Sequence, residues 1–262
     1  MPSFGPVRSV HRGLAVLRAV SELGPLGATD IATICKLPQP TTVRILETLI
    51  MAGYVYRQPD KATYKVTGRT LGLSRGFDPH QRLVEIAQPV VDQLHIKIGW
   101  PSNLAVFDGD AMVIVHSNRA ALGLSIAGRL GARIPMLATG VGLVTLAWMP
   151  EDERASALAR IQGSGDRWDS DPRLVKDLPQ RLDQIRRQNH AFADEEYLDA
   201  VYQSRIWAVA VPIRIERSQL RVALSSLVLR ISGERRRLLR TILPNLSTAA
   251  ERIGRLLTED YT

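Results

Sequence analysis

Apolar residues along the first part of the chain fall at helical intervals. In "SVHRGLAVLRAVSEL" (9–23), Val10, Leu14, Leu17 and Val20 recur every three or four residues, and the run stops at Gly24-Pro25. "GATDIATICKL" (27–37) predicts a short second helix with Thr29 as N-cap and Ile31, Ala32, Ile34 and Cys35 turned inward. In "LPQPTTVRILETLIMAGYV" (37–55), Val43, Leu46, Leu49 and Ile50 mark one face of a third helix that ends at Ala52-Gly53. Pro38 and Pro40 suit its start, because N–H groups of a first turn have no intrahelical partner. "YVYRQ" and "ATYKV" then alternate apolar with polar around "PDK", which predicts a β-hairpin.

Farther on, "GRTLGLSRGF" (68–77) reads as a linker helix broken at Asp78-Pro79, and "QRLVEIAQPVVDQLHIKIG" as an amphipathic helix despite Pro89. "SNLAVFDGDAMVIVHSN" gives two strands around Asp108-Gly109-Asp110, a strong hairpin signal. "LGLSIA" reads as a third strand, and "ATGVGLVTLAWM" as the start of a helix rich in small residues. "EDERASALARI" and "DLPQRLDQIRRQ" are further helices. "RIWAVAVPIRI" and "QLRVALSSLVLRI" form a second strand pair, and "GERRRLLRTILPNLSTAAERIGRLL" a long closing helix. Two antiparallel strand groups with helices around them predict an α+β second domain. The expected domains are a winged helix-turn-helix over 1–67, a linker helix over 68–79, and an α+β domain over 80–262.

Three helices followed by a basic hairpin is the winged helix-turn-helix plan, in which the third helix enters the major groove of double-stranded DNA. Net charge sharpens this. Of a total of +8, the first 78 residues hold ten Lys and Arg against five acids, so the positive charge concentrates where a polyanion would be met. Gln39, Thr41, Thr42 and Arg44 stand at the N-terminal end of the third helix, where phosphates and base edges come nearest. Arg44 can pair with a guanine edge or a phosphate. Arg57, Lys61 and Lys65 on the hairpin, and Arg8 and Arg12 ahead of it, complete the expected contacts.

Composition narrows the rest. Hydrophobic residues at 45% and charged residues at 23% describe an ordinary globular chain. Apolar runs such as "IWAVAVPI" fall far short of the roughly 20 residues that span a bilayer. No apolar leader segment is evident, so no membrane partner is expected and a cytoplasmic location is the default. One cysteine, Cys35, excludes an internal disulfide and a multi-cysteine metal site. No cofactor or metal is expected.

"RGLAVLRAVSELGPLGATDIATICKLPQPTTVRILETLIMAGYV", "NLAVFDGDAMVIV", "GRLGARIPMLATGVGL" and "FADEEY", in this order and spacing, resemble bacterial transcriptional regulators of the IclR family from about Val10 to Leu257. "WPSNLAVFDGDAMVI" and "RRLLRTILPNL" are similar to regulators of phenylpropionate and hydroxyphenylpropionate catabolism. The resemblance implies a winged-helix DNA-binding domain, a GAF-like effector domain, and homodimers or homotetramers on palindromic operators. It also implies an effector pocket for a small organic acid. Gly140 and Val141 would hold the ligand carboxylate with backbone amides, Thr139 would add a hydroxyl, and Ser225 would bond the ligand. Ile126, Ile134 and Ala208 would form apolar wall. Close packing of helix on sheet is the competing explanation of the glycines.

The chain departs from the family pattern in three places. Leu143 stands where a lysine is common, "LDAVYQSRIW" with Trp207 replaces the usual "GVRC" and adds residues, and "LVLRIS" replaces "SGP". These changes put Asp194 and the late-strand positions in question and suggest a pocket reshaped for a different, aromatic ligand. Two other readings stand beside the regulator. One is an unregulated DNA-binding protein whose second domain only oligomerises. The other is an enzyme, for which the chain offers little: five scattered histidines, "DGD" at 108–110 in a turn, and "DEE" at 194–196, read as a solvated loop. No catalytic residue is assigned.

Overall fold

In the computed structural model, which describes residues 5–74, 80–118, 130–230 and 235–260, helix α1 (Arg8–Leu23) buries Val16, Ala19 and Val20. Val10 and Leu14, expected on the buried face, are about three-fifths exposed, at 59% and 61%. The reason is the size of the core beneath. Val16, Val20, Ile31, Leu46, Val55 and Tyr64 form it, and they meet only the C-terminal half of the helix.

β1 (Leu26–Gly27) precedes α2 (Ala28–Ile34), and its pairing with β3 (Thr63–Val66) holds Gly27 extended as the N-cap. Thr29 therefore lies inside the helix rather than capping it. Ile31 and Ala32 are buried, whereas Ile34 is exposed. The turn after α2 is made by Lys36 in the left-handed region, with Lys36 N–H donating to Thr33 O and Leu37 N–H to Ala32 O. It leads to α3 (Gln39–Met51), followed by β2 (Val55–Arg57) and β3, which complete a sheet of order β1-β3-β2. The expected hairpin is present; the short β1 beside it was not foreseen. Gly68–Ser74 is a 3-10 helix rather than an α-helix, and the remainder of the expected linker (75–79) lies outside the described residues.

The chain divides between Pro79 and His80 into two compact units. The second begins with α4 (Gln81–Ile98), which carries Pro89 internally as expected. β4 (Ser102–Asp108) and β5 (Ala111–Ser117) form the first hairpin, turning at Gly109 with φ +76°. After β6 (Arg133–Ile134) come α5 (Gly140–Trp148), α6 (Glu151–Gly163), α7 (Pro172–Lys176) and α8 (Leu178–Gln188). β7 (Ala191–Phe192), α9 (Glu195–Tyr202), β8 (Ile206–Ile213), β9 (Val222–Leu229) and α10 (Arg235–Asp260) complete it. The strand expected over "LGLSIA" and the wall residue Ile126 fall outside the described residues.

The two predicted strand groups are one antiparallel sheet of order β6-β5-β4-β9-β8-β7, joined where β4 pairs with β9. Both faces are covered. α4 and α10 close one face over Leu104, Val106, Val211 and Leu224, and α5 with its companions closes the other over Ala105, Ile114 and Ala210. Strands buried on both sides read as continuous apolar runs, which is why "VALSSLVL" and "IWAVAVPI" show little alternation.

Candidate functional site

Two surfaces carry the expected chemistry, one in each unit. On the first, α3 is rotated relative to the face its sequence suggested. Thr42 and Leu46 are buried and Ile45 and Leu49 pack beside them, while Ile50 is 37% exposed. Thr42 can be buried because its hydroxyl donates to Pro38 O at 3.2 Å. That removes Thr42 from the expected DNA contacts: its side chain points into the core. Arg44 is exposed on the opposite side; Gln39 is exposed at the first turn, on the side facing α2, and Thr41 is half-buried. Gln39 Nε2 donates to the Thr29 hydroxyl at 3.2 Å, tying the start of α3 to α2. On the hairpin, Arg57 and Lys61 are exposed; Lys65, paired across from Tyr56, is half-buried. Arg8 and Arg12 are exposed on α1.

The second surface is a cavity in the α+β unit. Ile134, Thr139, Gly140, Val141, Ala208 and Ser225, drawn from β6, the α5 start, β8 and β9, all line it. These are all the expected pocket residues that lie among those described. The cavity volume is about 30 Å³, room for about two waters. At its floor, Gly140 and Val141 occupy the first two positions of α5, and among the described residues their N–H groups have no partner. An aligned helix and two free amides favour an anion there. Thr139 is the N-cap, and its hydroxyl is already engaged: it donates to Pro135 O at 2.6 Å and accepts from Gly142 N–H at 3.2 Å. It shapes the helix start and has no spare donor for a ligand.

Close packing also explains the glycines, and the two explanations do not compete. A Cβ on Gly140 would lie 2.7 Å from Ala191 O and 3.2 Å from Ala210 Cβ, and one on Gly142 would lie 2.2 Å from Met136 O. Bare backbone lets α5 settle on the sheet, and this contact sets where the free amides point.

The loop before α5 is held by a residue the sequence did not single out. Asp169, 1% exposed, accepts Leu137 N–H at 2.7 Å and Met136 N–H at 3.2 Å. Burial pushes its carboxyl up to about 6, against the pull of those two amides. The folded chain thus holds this proton more tightly than the unfolded chain does. Its contribution to stability is fully present below about pH 4, is lost as pH rises through about 6, and is level above about 7. In Asp169→Asn this dependence is absent. Urea midpoints of the two proteins should therefore differ by an amount that shifts against wild type between pH 4.5 and 6.5 and stays constant from 7 to 8. A difference independent of pH would show that the group does not titrate in this range.

Further lining residues were missed as well. Asn103 sits on β4 in a run that read only as strand, and Tyr197 and Tyr202 come from α9, where a loop was expected. Tyr197 meets Trp168 edge-to-face at 5.5 Å and Tyr202 at 6.3 Å, so one wall is aromatic. The acids of "DEE" are accounted for. Asp194 caps α9 through Glu196 and Tyr197 N–H, Glu196 pairs with Arg173 at 2.9 Å, and Glu195 pairs with Arg230. Asp108 and Asp110 both pair with Arg133. Among the described residues no group of three or more His, Cys, Asp or Glu is arranged to hold a metal. No helix among them is long and apolar enough to cross a membrane.

Residues 79–255 match the family profile described as "Bacterial transcriptional regulator IclR C-terminal", and residues 9–59 match the IclR helix-turn-helix domain. The chain belongs to the IclR family. It is 27% identical over 253 residues to the HTH-type transcriptional regulator KdgR of Escherichia coli, covering 95% of this chain and 92% of that one. It is 28% identical over 228 residues to the Pca regulon regulatory protein of Pseudomonas putida, covering 86% and 74%. Among solved structures, an IclR homologue from Microbacterium hydrocarbonoxydans complexed with 4-hydroxybenzoate shares the fold. Its TM-score is 0.66 at 21% identity, covering 96% of this chain and 99% of that one. The chain is thus an IclR-family transcriptional regulator, a helix-turn-helix unit joined to an α+β effector domain.

Proposed function

We propose that this regulator binds a palindromic operator as a homodimer or homotetramer and that a small organic acid held at the start of α5 changes that binding. The observation that carries the reading is convergence. Residues from four separate elements line one cavity, and two of them, Gly140 and Val141, bring helix-start N–H groups that have no partner among the described residues. The aromatic wall of Tyr197 and Tyr202 supports a planar acid. So does the 4-hydroxybenzoate in the Microbacterium homologue. The rival reading, in which the second unit only oligomerises, gives these amides no role.

The cavity is smaller than a ring-bearing acid, so such a ligand selects a state with the wall displaced. Tyr202, half-buried on the last turn of α9, is the wall residue placed to move. Differential binding to open and closed states is the free energy available to alter DNA affinity, typically about 1–3 kcal/mol. On the DNA side, Arg44 and Gln39 on α3 are proposed for the major groove, with Thr41 beside them. Arg57, Lys61, Lys65, Arg8 and Arg12 are proposed for the backbone and minor groove.

Calorimetry with benzoate, 4-hydroxybenzoate and short aliphatic acids tests the site. Saturable binding of at least one acid is expected, and no heat from any of them would overturn it. A second prediction concerns the hairpin. Lys61→Ala should weaken binding to all DNA sequences alike and reduce the slope of log affinity against log salt by about one. Equal slopes for the two proteins would remove Lys61 from the interface.

A further inference from the structure

Asn103 occupies the pocket face of β4, directly across from Ser225 on β9, which in turn faces Ala210 on β8. Ser117 on β5 lies on the other side of Asn103. Ser117, Asn103, Ser225 and Ala210 therefore form one row across four strands. The start of α5 rests on the Ala210 end of that row, as the Gly140 contact shows. The row is polar at its far end, while the next positions on the same face, Ala105, Ala223 and Leu227, are apolar.

Asn103 is 3% exposed and lines the cavity. Its Oδ1 accepts the Ser117 hydroxyl at 2.7 Å, which fixes the orientation of the carboxamide. Among the described residues nothing accepts from its Nδ2. The amide end is not sealed among protein atoms and lies at the cavity lining, so an arrangement that anchors the carbonyl end and leaves the N–H donors facing the cavity suits a ligand.

We propose that Asn103, oriented by Ser117, recognises a second polar group at the far end of the acid. The effector is then a carboxylic acid carrying a hydrogen-bond acceptor (hydroxyl, keto or second carboxylate oxygen) about one ring-length from its carboxylate. The length follows from the sheet. Adjacent strands stand about 5 Å apart, so roughly 10 Å separates the β8 and β4 positions, part of which is taken by the hydrogen bonds themselves. This inference rests on the reading of the α5 start as the carboxylate site.

Calorimetry on the full chain with two matched pairs tests it: benzoate against 4-hydroxybenzoate, and hexanoate against adipate. In at least one pair the acid with the second polar group should bind wild type ~10- to 100-fold more tightly. Asn103→Ala should erase that advantage and leave the plain acid within about twofold of its wild-type affinity. Ser117→Ala, a milder change at the strand end, should erase part of the advantage, and it keeps the test open where the Asn103 variant folds poorly. Equal weakening of both members of a pair by Asn103→Ala overturns the proposal, as does binding of plain acids with no advantage in either pair. In that last case the carboxylate site still stands. Binding of none of the four acids overturns the carboxylate site and this inference with it.

Discussion

Gly142→Ala should lower the stability of the effector unit by about 3 kcal/mol, a fall of roughly 6–12 °C in its melting temperature. The added Cβ would lie 2.2 Å from Met136 O, 2.5 Å from Met136 Cα and 2.7 Å from Met136 C. All three are backbone atoms, and the loop that contains them is pinned by Asp169 at Met136 and Leu137. Neither partner can yield by a rotamer change, so the strain passes to α5 as a whole, which packs on β8, β9 and α8. The chain allows a clean readout. All four tryptophans, Trp100, Trp148, Trp168 and Trp207, lie in the second unit, so their fluorescence follows that unit alone. Gly163→Ala is the control, since a Cβ there meets nothing within 4 Å and should leave the transition unchanged or slightly higher. Equal melting of the Gly142 variant and the control would mean that α5 does not sit on the sheet as described.

Arg44→Ala should weaken binding to the cognate operator by about 1–3 kcal/mol, or ~5- to 150-fold, and relax preference at one base position. The side chain is exposed on α3, opposite the buried Thr42 and Leu46, so truncation leaves the core untouched. Competition binding with operators altered one base at a time separates two roles. Loss of preference at a single guanine marks a base contact. Uniform weakening with preference intact marks a phosphate contact. Unchanged affinity and unchanged preference would contradict the assignment of α3 as the recognition helix.

Much of the fold was legible because its elements are locally determined. Pro38-Gln39-Pro40 sets the start of α3, and Asp108-Gly109-Asp110 turns the first hairpin of the large sheet. "LPQRLDQIRRQ" keeps Leu178, Leu182 and Ile185 at helical spacing, and all three are buried. Phase was less legible than existence. α3 has apolar residues at 43, 45, 46, 49 and 50, enough to choose either of two neighbouring stripes. The chain buries the one containing Thr42, whose hydroxyl satisfies itself on Pro38 O. Elements made by distant pairing were not legible at all. β1, β6 and β7 have two residues each and exist only through β3, β5 and β8. In the cavity, the helix start and Ser225 came from family motifs, whereas Asn103 depends on strand register and Tyr202 on a helix where a loop was expected. Asp169 gave no sequence signal, since acids in a short polar run such as "RWDSDP" read as surface.

The central claim is that operator binding answers to a small organic acid. It is tested most directly by capturing source-genome fragments on the purified full chain at physiological salt, with and without benzoate, 4-hydroxybenzoate, hexanoate and adipate. The expected result is a small set of fragments sharing an inverted repeat, whose occupancy changes about 5- to 150-fold when at least one acid is present. Fragments bound without a shared sequence, or a specific set whose occupancy no acid alters, would contradict it.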